Sequence, residues 1–269
     1  MSFRYGVSLN MTAYAFSTLL AVVVFMALCF GWYLFCVVLP YAPAAIACLV
    51  ALWLLSSFGG YEVARRRRQT LLSAALRDDS WLRVILSGRI LAAGTSLFAA
   101  TVAVPVVGSF LLLSQDYERF LVVATTSGVA IIFLSVTRVT QSHLKPIYGI
   151  CLVAPTTSLV TGLAMACIAL AITYGFDVNM ASGAEGTLSE AIARARADLR
   201  GTIPLIEPVV VLFLVGDVTA NWLLAGGGYG ATLPLALYLL NSAAAYLGVA
   251  RIAVDIQAAF HSAGTKGAS

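Results

Sequence analysis

Seven stretches of the chain, 14–39, 43–64, 90–114, 120–137, 147–174, 204–225 and 230–250, are almost continuously apolar. Each approaches or exceeds the roughly 20 residues that an α-helix needs to cross the hydrocarbon core of a bilayer. Within lipid, every backbone N–H and C=O must find a partner inside its own helix or in a closed barrel. Barrel strands would alternate in polarity over about 10 residues, and these segments do not alternate. The chain is therefore expected to be all-α, a polytopic transmembrane helix bundle. Composition agrees: 61% of the 269 residues are hydrophobic and 10% are charged, with a mean hydropathy of +0.94. No soluble domain hides that much apolar surface. The connections are short, so 1–269 reads as a single integral membrane domain. The first segment is longer than the 7–15-residue core of a signal peptide and only Arg4 precedes it, so it is read as a retained span.

Lys and Arg collect in short cytoplasmic loops. With the N-terminus inside, the inner segments hold Arg4, Arg65, Arg66, Arg67, Arg68, Arg77, Arg83, Arg89, Arg138 and Lys145, ten of the sixteen basic residues. The Tyr41-Ala42-Pro43 turn opposite the arginine run carries no charge. The expected setting is a bacterial inner membrane with the N-terminus in the cytoplasm. Seven spans leave Arg251 and the C-terminus outside, which fits the rule poorly. Six spans, with one element between 147 and 250 entering the membrane without crossing it, return the C-terminus to the cytoplasm. Residues 252–269, His261 included, read as a flexible polar tail.

Two segments between spans read as amphipathic helices lying at the membrane surface. The inner one, 65–89, opens on Arg65, Arg66, Arg67 and Arg68, which anchor it to anionic lipid. Leu72, Ala75, Leu76, Leu82, Ile85 and Leu86 then recur at helical spacing, opposite Arg77, Asp78, Asp79 and Arg83, with Trp81 suited to the interface. This elbow anchors the topology or docks a cytoplasmic partner such as an ATPase. The outer segment, 175–203, holds a capping box, Thr187-x-x-Glu190, that would satisfy orphan backbone donors at a helix start. Leu188, Ile192, Ala195 and Leu199 form its apolar stripe, and Glu190, Arg194 and Asp198 a ladder of alternating sign. It serves as a lid, or as a contact for a partner.

The segment 204–225 holds the one acidic side chain placed well inside an apolar run. Glu207 lies in its first turn, beside Pro204 and Pro208, where a carboxylate accepts from free N–H groups. Asp217 lies near the middle, with Asn221 one turn later. A charged Asp at that depth costs about 2.5–3.5 kcal/mol on insertion scales, so it must face protein or water. Asp217, Asn221 and Glu207 are the candidate intramembrane polar site. Small residues four apart, Gly162 with Ala166, Ala244 with Gly248 and Ala124 with Gly128, suit close helix contacts.

Other chemistry is not written in the chain. Cys29, Cys36, Cys48, Cys151 and Cys167 lie within spans without metal spacing and read as small buried hydrophobes. His143 and His261 do not make a haem pair, and no Ser–His–Asp set shares one depth. No catalytic residue, cofactor or metal site is expected. The formal charge of +4 is explained by basic groups at a membrane face, without nucleic acid. The leading expectation is an integral subunit of a multiprotein transport or secretion complex that lines or supports a polar path, with anionic lipids and other membrane subunits as partners. Two readings compete with it: a non-catalytic assembly or scaffold subunit, and a membrane-embedded lipid-active enzyme.

Overall fold

A computed structural model describes residues 3–75, 89–143, 146–175, 187–197, 206–225 and 232–266, with the backbone alone at several segment ends. Among the described residues all regular structure is helical. In chain order the helices are α1 (Phe3–Tyr33, ending in a π-helical turn, Leu34–Val38), α2 (Ala42–Ala75), α3 (Arg89–Leu113), α4 (Asp116–His143), α5 (Pro146–Gly175), α6 (Leu188–Ala197), α7 (Glu207–Ala225) and α8 (Thr232–Lys266). Among the described residues six helices, α1 to α5 and α8, are long and apolar enough to cross a membrane. That is the smaller of the two counts considered from sequence.

α8 is the axis of the bundle. It packs against α1, α2, α3, α4, α5 and α7. Residues Ile252 to Ala259 are all buried. The flexible tail expected from residue 252 is therefore corrected: the helix continues to Lys266. Ile252, Ala253, Val254, Ile256, Ala258 and Ala259 bury a continuous run. The interspersed Asp255, Gln257 and His261 belong to the core rather than to a solvated tail.

Contacts along α8 set the direction of every crossing. Near its start, Tyr238 meets Thr173 at the end of α5, with a hydroxyl–hydroxyl distance of 2.7 Å. Thr173 also reaches Tyr117 at the start of α4. Near its other end, Asp255 meets Ser56 of α2, and His261 meets Thr18 of α1 and stacks on Phe133 of α4. The last turns of α8 thus lie on the side where α1 begins and where α2 carries its four arginines. α5 ends and α8 begins on the opposite, far side. The intervening α6 and α7 pack at that far side, α7 against the ends of α3 and α8. Arg251 and Lys266 consequently join Arg65–Arg68, Arg89 and Arg138 on one side, removing the misfit left by seven spans.

The arginine run continues α2 rather than opening a separate surface helix. No strong helix breaker falls between Gly60 and Ala75, and Arg, Gln, Leu and Ala all favour the helix. Residues 76–88, the rest of the expected elbow, lie outside the described residues.

Glycines allow the closest helix contacts. A Cβ at Gly59 would collide with the main-chain oxygen of Asp255, so α2 and α8 touch backbone to backbone. A Cβ at Gly162 would lie 2.9 Å from Cα of Leu247, which joins α5 to α8 in the same way. Of the small-residue pairs expected from spacing, Gly162 and Ala166 both serve the interior, whereas Ala244 is exposed. Trp32 of α1 closes the α1–α3 contact, its indole N–H donating to the carbonyl of Gly108 at 3.1 Å. Outward-facing Phe16, Phe98, Ile131 and Leu240 are exposed and form an apolar surface suited to lipid. Cys29 and Cys36 are buried as expected, but Cys167 is exposed; the side chain of Cys151 lies outside the described residues.

Two outcomes follow from this packing. Gly59→Ala forces α2 and α8 apart and lowers thermal stability in detergent by about 1–3 kcal/mol, while Gly94→Ala, with nothing within 4 Å of the added carbon, leaves it unchanged. Single cysteines at positions 69 and 266 in a cysteine-free background react with an impermeant maleimide from the same face of sealed vesicles. Labelling from opposite faces would contradict six crossings.

Candidate functional site

The buried polar groups form two clusters, one toward each end of α8. The far-side cluster joins α3, α4, α5, α7 and α8. The Glu118 carboxylate accepts the backbone N–H of Gln115 at 2.9 Å, capping the start of α4. Tyr238 Oη donates to its other oxygen at a long 3.5 Å. Tyr117, Thr173 and Tyr238 make a chain of hydroxyls, with separations of 3.1 and 2.7 Å. Asp217 of α7 lies beside the Asn241 side chain of α8. Glu118, Asp217, Tyr238, Asn241, Ser114 and Ser242 all line one small cavity of about 20 Å³, room for about one water molecule. No cationic side chain lines it among the described residues. Arg119, next in sequence, instead pairs with Asp116 at 2.7 Å and lies over the ring of Tyr33.

The second cluster, on the arginine side, centres on Asp255, which is 3% exposed. One carboxylate oxygen accepts from Arg251 Nε at 3.0 Å and from Ser56 Oγ at 3.2 Å. Its other oxygen is buried with no hydrogen-bond partner among the described residues. Arg251 and Asp255 stand one helical turn apart, so the pair forms wherever α8 is helical. Two turns of α8 further on, His261 is buried between Thr18 and Phe133. Gln257, 1% exposed, has neither amide atom bonded among the described residues.

Between the clusters lies an apolar layer. Tyr246 is fully buried and meets Phe110 edge to face, ring centroids 5.2 Å apart. Trp32, Val107 and Val249 are buried in the same core. Along the helix axis, Asn241 and Asp255 are about 21 Å apart. That separation covers much of a hydrocarbon core about 30 Å thick.

The residues singled out from sequence are placed as follows. Asp217 is partly buried at the far-side end of the bundle, where it shares a cavity with Asn241. The side chain of Asn221 lies outside the described residues. Glu207 does not join the site; it pairs with Arg196 at 3.4 Å on an exposed surface. The capping box forms: Thr187 N–H donates to Glu190 at 3.0 Å and Glu190 N–H to Thr187 Oγ1 at 3.4 Å. Arg194 Nε reaches the Glu190 carbonyl at 3.4 Å, and Asp198 lies outside the described residues. Of the four arginines, Arg65 and Arg66 turn toward Glu62, each at 3.9 Å, while Arg67 and Arg68 line a cavity together with Arg251.

Sequence reasoning missed Glu118, Arg251, Asp255 and His261 as members of buried clusters. Two boundaries were responsible. The fourth apolar stretch began at 120, two residues after Glu118, and the last ended at 250, one residue before Arg251. The signal in the second case was present: an Arg–Asp pair at i,i+4 inside an otherwise apolar run continues a helix rather than ending one. Among the described residues no group of three or more His, Cys, Asp or Glu side chains is placed to hold a metal.

Arg251→Gln leaves Asp255 buried without its counter-charge and destabilises the fold by about 3 kcal/mol, whereas the double variant with Asp255→Asn recovers part of that loss. A double-mutant cycle read by thermal unfolding in detergent checks it; additive losses would show the pair to be uncoupled. No protein-family model matches the chain, and neither does any curated protein or solved structure.

Proposed function

We propose that the protein is an integral membrane component of a transport or secretion machine, in which α8 supports passage of a proton or small cation. One observation carries this reading. A helix that packs against six others brings acidic groups together at both of its ends: Asp217 and Glu118 around a shared cavity, Asp255 opposite. Polar side chains inside a membrane bundle are expensive and mark paths more often than packing. Two carboxyls around one small cavity without a counter-charge are relieved by a bound proton or cation. The Phe110–Tyr246 layer then acts as the closed gate between two half-paths.

The basic side, with Arg65–Arg68, Arg89, Arg138, Arg251 and Lys266, is assigned to the cytoplasm by the positive-inside rule. Both chain ends described here then lie inside a bacterial inner membrane. α6, with its capped start and its ion pair to α7, faces outward and offers Glu190 and Arg194 to an envelope partner. The basic end of α2 faces inward, where an ATPase subunit would dock.

The scaffold reading has its own support: the packed rings of Phe110 and Tyr246 stand between the clusters, as in a structural core. Flux measurements distinguish the two. In liposomes with an entrapped pH-sensitive dye, the pair Glu118→Gln with Asp217→Asn lowers ion-driven proton flux about tenfold or more, equivalent to about 1.4 kcal/mol. Protein yield and oligomeric mass stay unchanged. Unaltered flux with lost assembly favours the scaffold and ends the conduit reading.

A further inference from the structure

Tyr246 closes the apolar layer with its ring, but its hydroxyl is unpaired. The residue is fully buried, and its Oη has no hydrogen-bond partner among the described residues. Gln257, eleven residues on, is 1% exposed, and neither atom of its amide is bonded among the described residues. Eleven residues make about three turns, so the two side chains share one face of α8. Ser242, one turn before Tyr246, is buried and lines the far-side cavity. His261, one turn after Gln257, is buried in the arginine-side cluster. A stripe of buried polar side chains thus runs along α8 from one cluster toward the other.

The interval between Tyr246 and Gln257, about 16 Å along the axis, carries the small residues Ala250 and Ala253 on that face of α8. Two hydroxyls of α5 fall at their levels. Gly162 packs against Leu247 and Thr173 meets Tyr238, which fixes the antiparallel register of α5 and α8. Counted from those contacts, Thr161 stands near the level of Ala250 and Thr157 near that of Ala253. Both threonines are buried, and neither Oγ1 has a partner among the described residues. A helical threonine has a partner at hand in the carbonyl one turn back. Thr125, Thr126 and Thr173 donate to theirs, at 2.7, 2.8 and 2.8 Å. Thr157 and Thr161 do not. Unpaired groups therefore occur at successive levels across the whole interval.

A buried polar atom without a partner is costly, and native structures complete most such atoms with water or an ion. An internal water makes about three hydrogen bonds to groups of this kind. We propose that Tyr246, Thr161, Thr157 and Gln257 hold a file of internal water that relays protons between the far-side cavity and His261. This deepens the conduit reading and rests on it. Each hydroxyl or water accepts a proton on one side and passes its own on the other. One proton enters at Ser242 and one arrives on the His261 ring, with no net change between them. Gln257 releases no proton; its two N–H bonds and its carbonyl orient the water beside it. The rings of Phe110 and Tyr246 pack edge to face at the top of the file, which closes it to a hydrated metal ion, so the species carried is the proton.

The test uses the full chain in liposomes with an entrapped pH-sensitive dye. Tyr246→Phe keeps the ring and removes only the hydroxyl; it lowers proton flux about tenfold or more without raising thermal stability. Thr157→Val with Thr161→Val has the same effect. Thr125→Val, which removes a hydroxyl paired within its own helix, changes flux by less than about twofold. X-ray hydroxyl-radical footprinting of the unaltered protein needs no variant. The radicals form from water, so Tyr246 is modified while Phe25, equally buried, is not. Unchanged flux in Tyr246→Phe or in the threonine pair, or a Tyr246 no more modified than Phe25, overturns the file and leaves the conduit reading standing. A dry hydroxyl gives that result together with higher stability in Tyr246→Phe. An unaltered protein that passes no protons ends the conduit reading and the relay with it.

Discussion

A carboxylate at the centre of an apolar bundle is tolerable only when its neighbours are arranged around it, and Asp255 shows what that arrangement requires. Its partner Arg251 comes from the same helix, one turn away, so this part of the compensation travels with α8. The rest comes from α2: Ser56 supplies a hydroxyl, and Gly59 lets the backbones meet at that level. Gly59 cannot carry even a methyl group without moving the Asp255 carbonyl. Helix association in membranes has no hydrophobic drive comparable to that in water and relies on such close contact. The central position of α8 therefore depends on a few glycines and one ion pair more than on the apolar residues that fill the remaining volume.

Once α8 is central, the polar groups of the other helices are sorted by depth. Those near its start gather around Glu118 and Asp217; those near its end gather around Asp255 and His261. The aromatic layer of Phe110 and Tyr246 stands between, and the Tyr246 hydroxyl has no hydrogen-bond partner among the described residues. The arginine run is sorted by the same helical geometry. Two of its side chains serve an acidic neighbour, and two line a cleft with Arg251.

Much of this was legible in the chain. Apolar segment length identified the spans, because lipid leaves a backbone few other options. The capping box of α6 was readable at single-residue precision, because it is a local arrangement of four consecutive residues. Asp217 was recognisable as a group in need of shelter from its position in an apolar run. Its partner was not, because Asn241 is 24 residues away on a different helix. Asn221, chosen for its spacing of one turn, illustrates the limit: periodicity reports which residues share a face, not which face meets another helix. Glu118, Arg251 and Asp255 fell outside the site for a related reason. Hydropathy windows end at charges, whereas a helix continues wherever its charges are compensated.

From the amino-acid order alone came the class of the molecule, the positions of most helices and the suspicion attached to Asp217. These rest on local physics: transfer energy, helix propensity and end capping. Tertiary structure alone decided that α8 is the axis and runs back toward the arginine side. It also decided that α7 packs at the far side and that Glu118 and Asp217 line one cavity. Arg67, Arg68 and Arg251 face one cleft for the same reason. Each of those outcomes depends on contacts between residues far apart in sequence, set by where glycines permit two backbones to touch, and no local pattern carries that information.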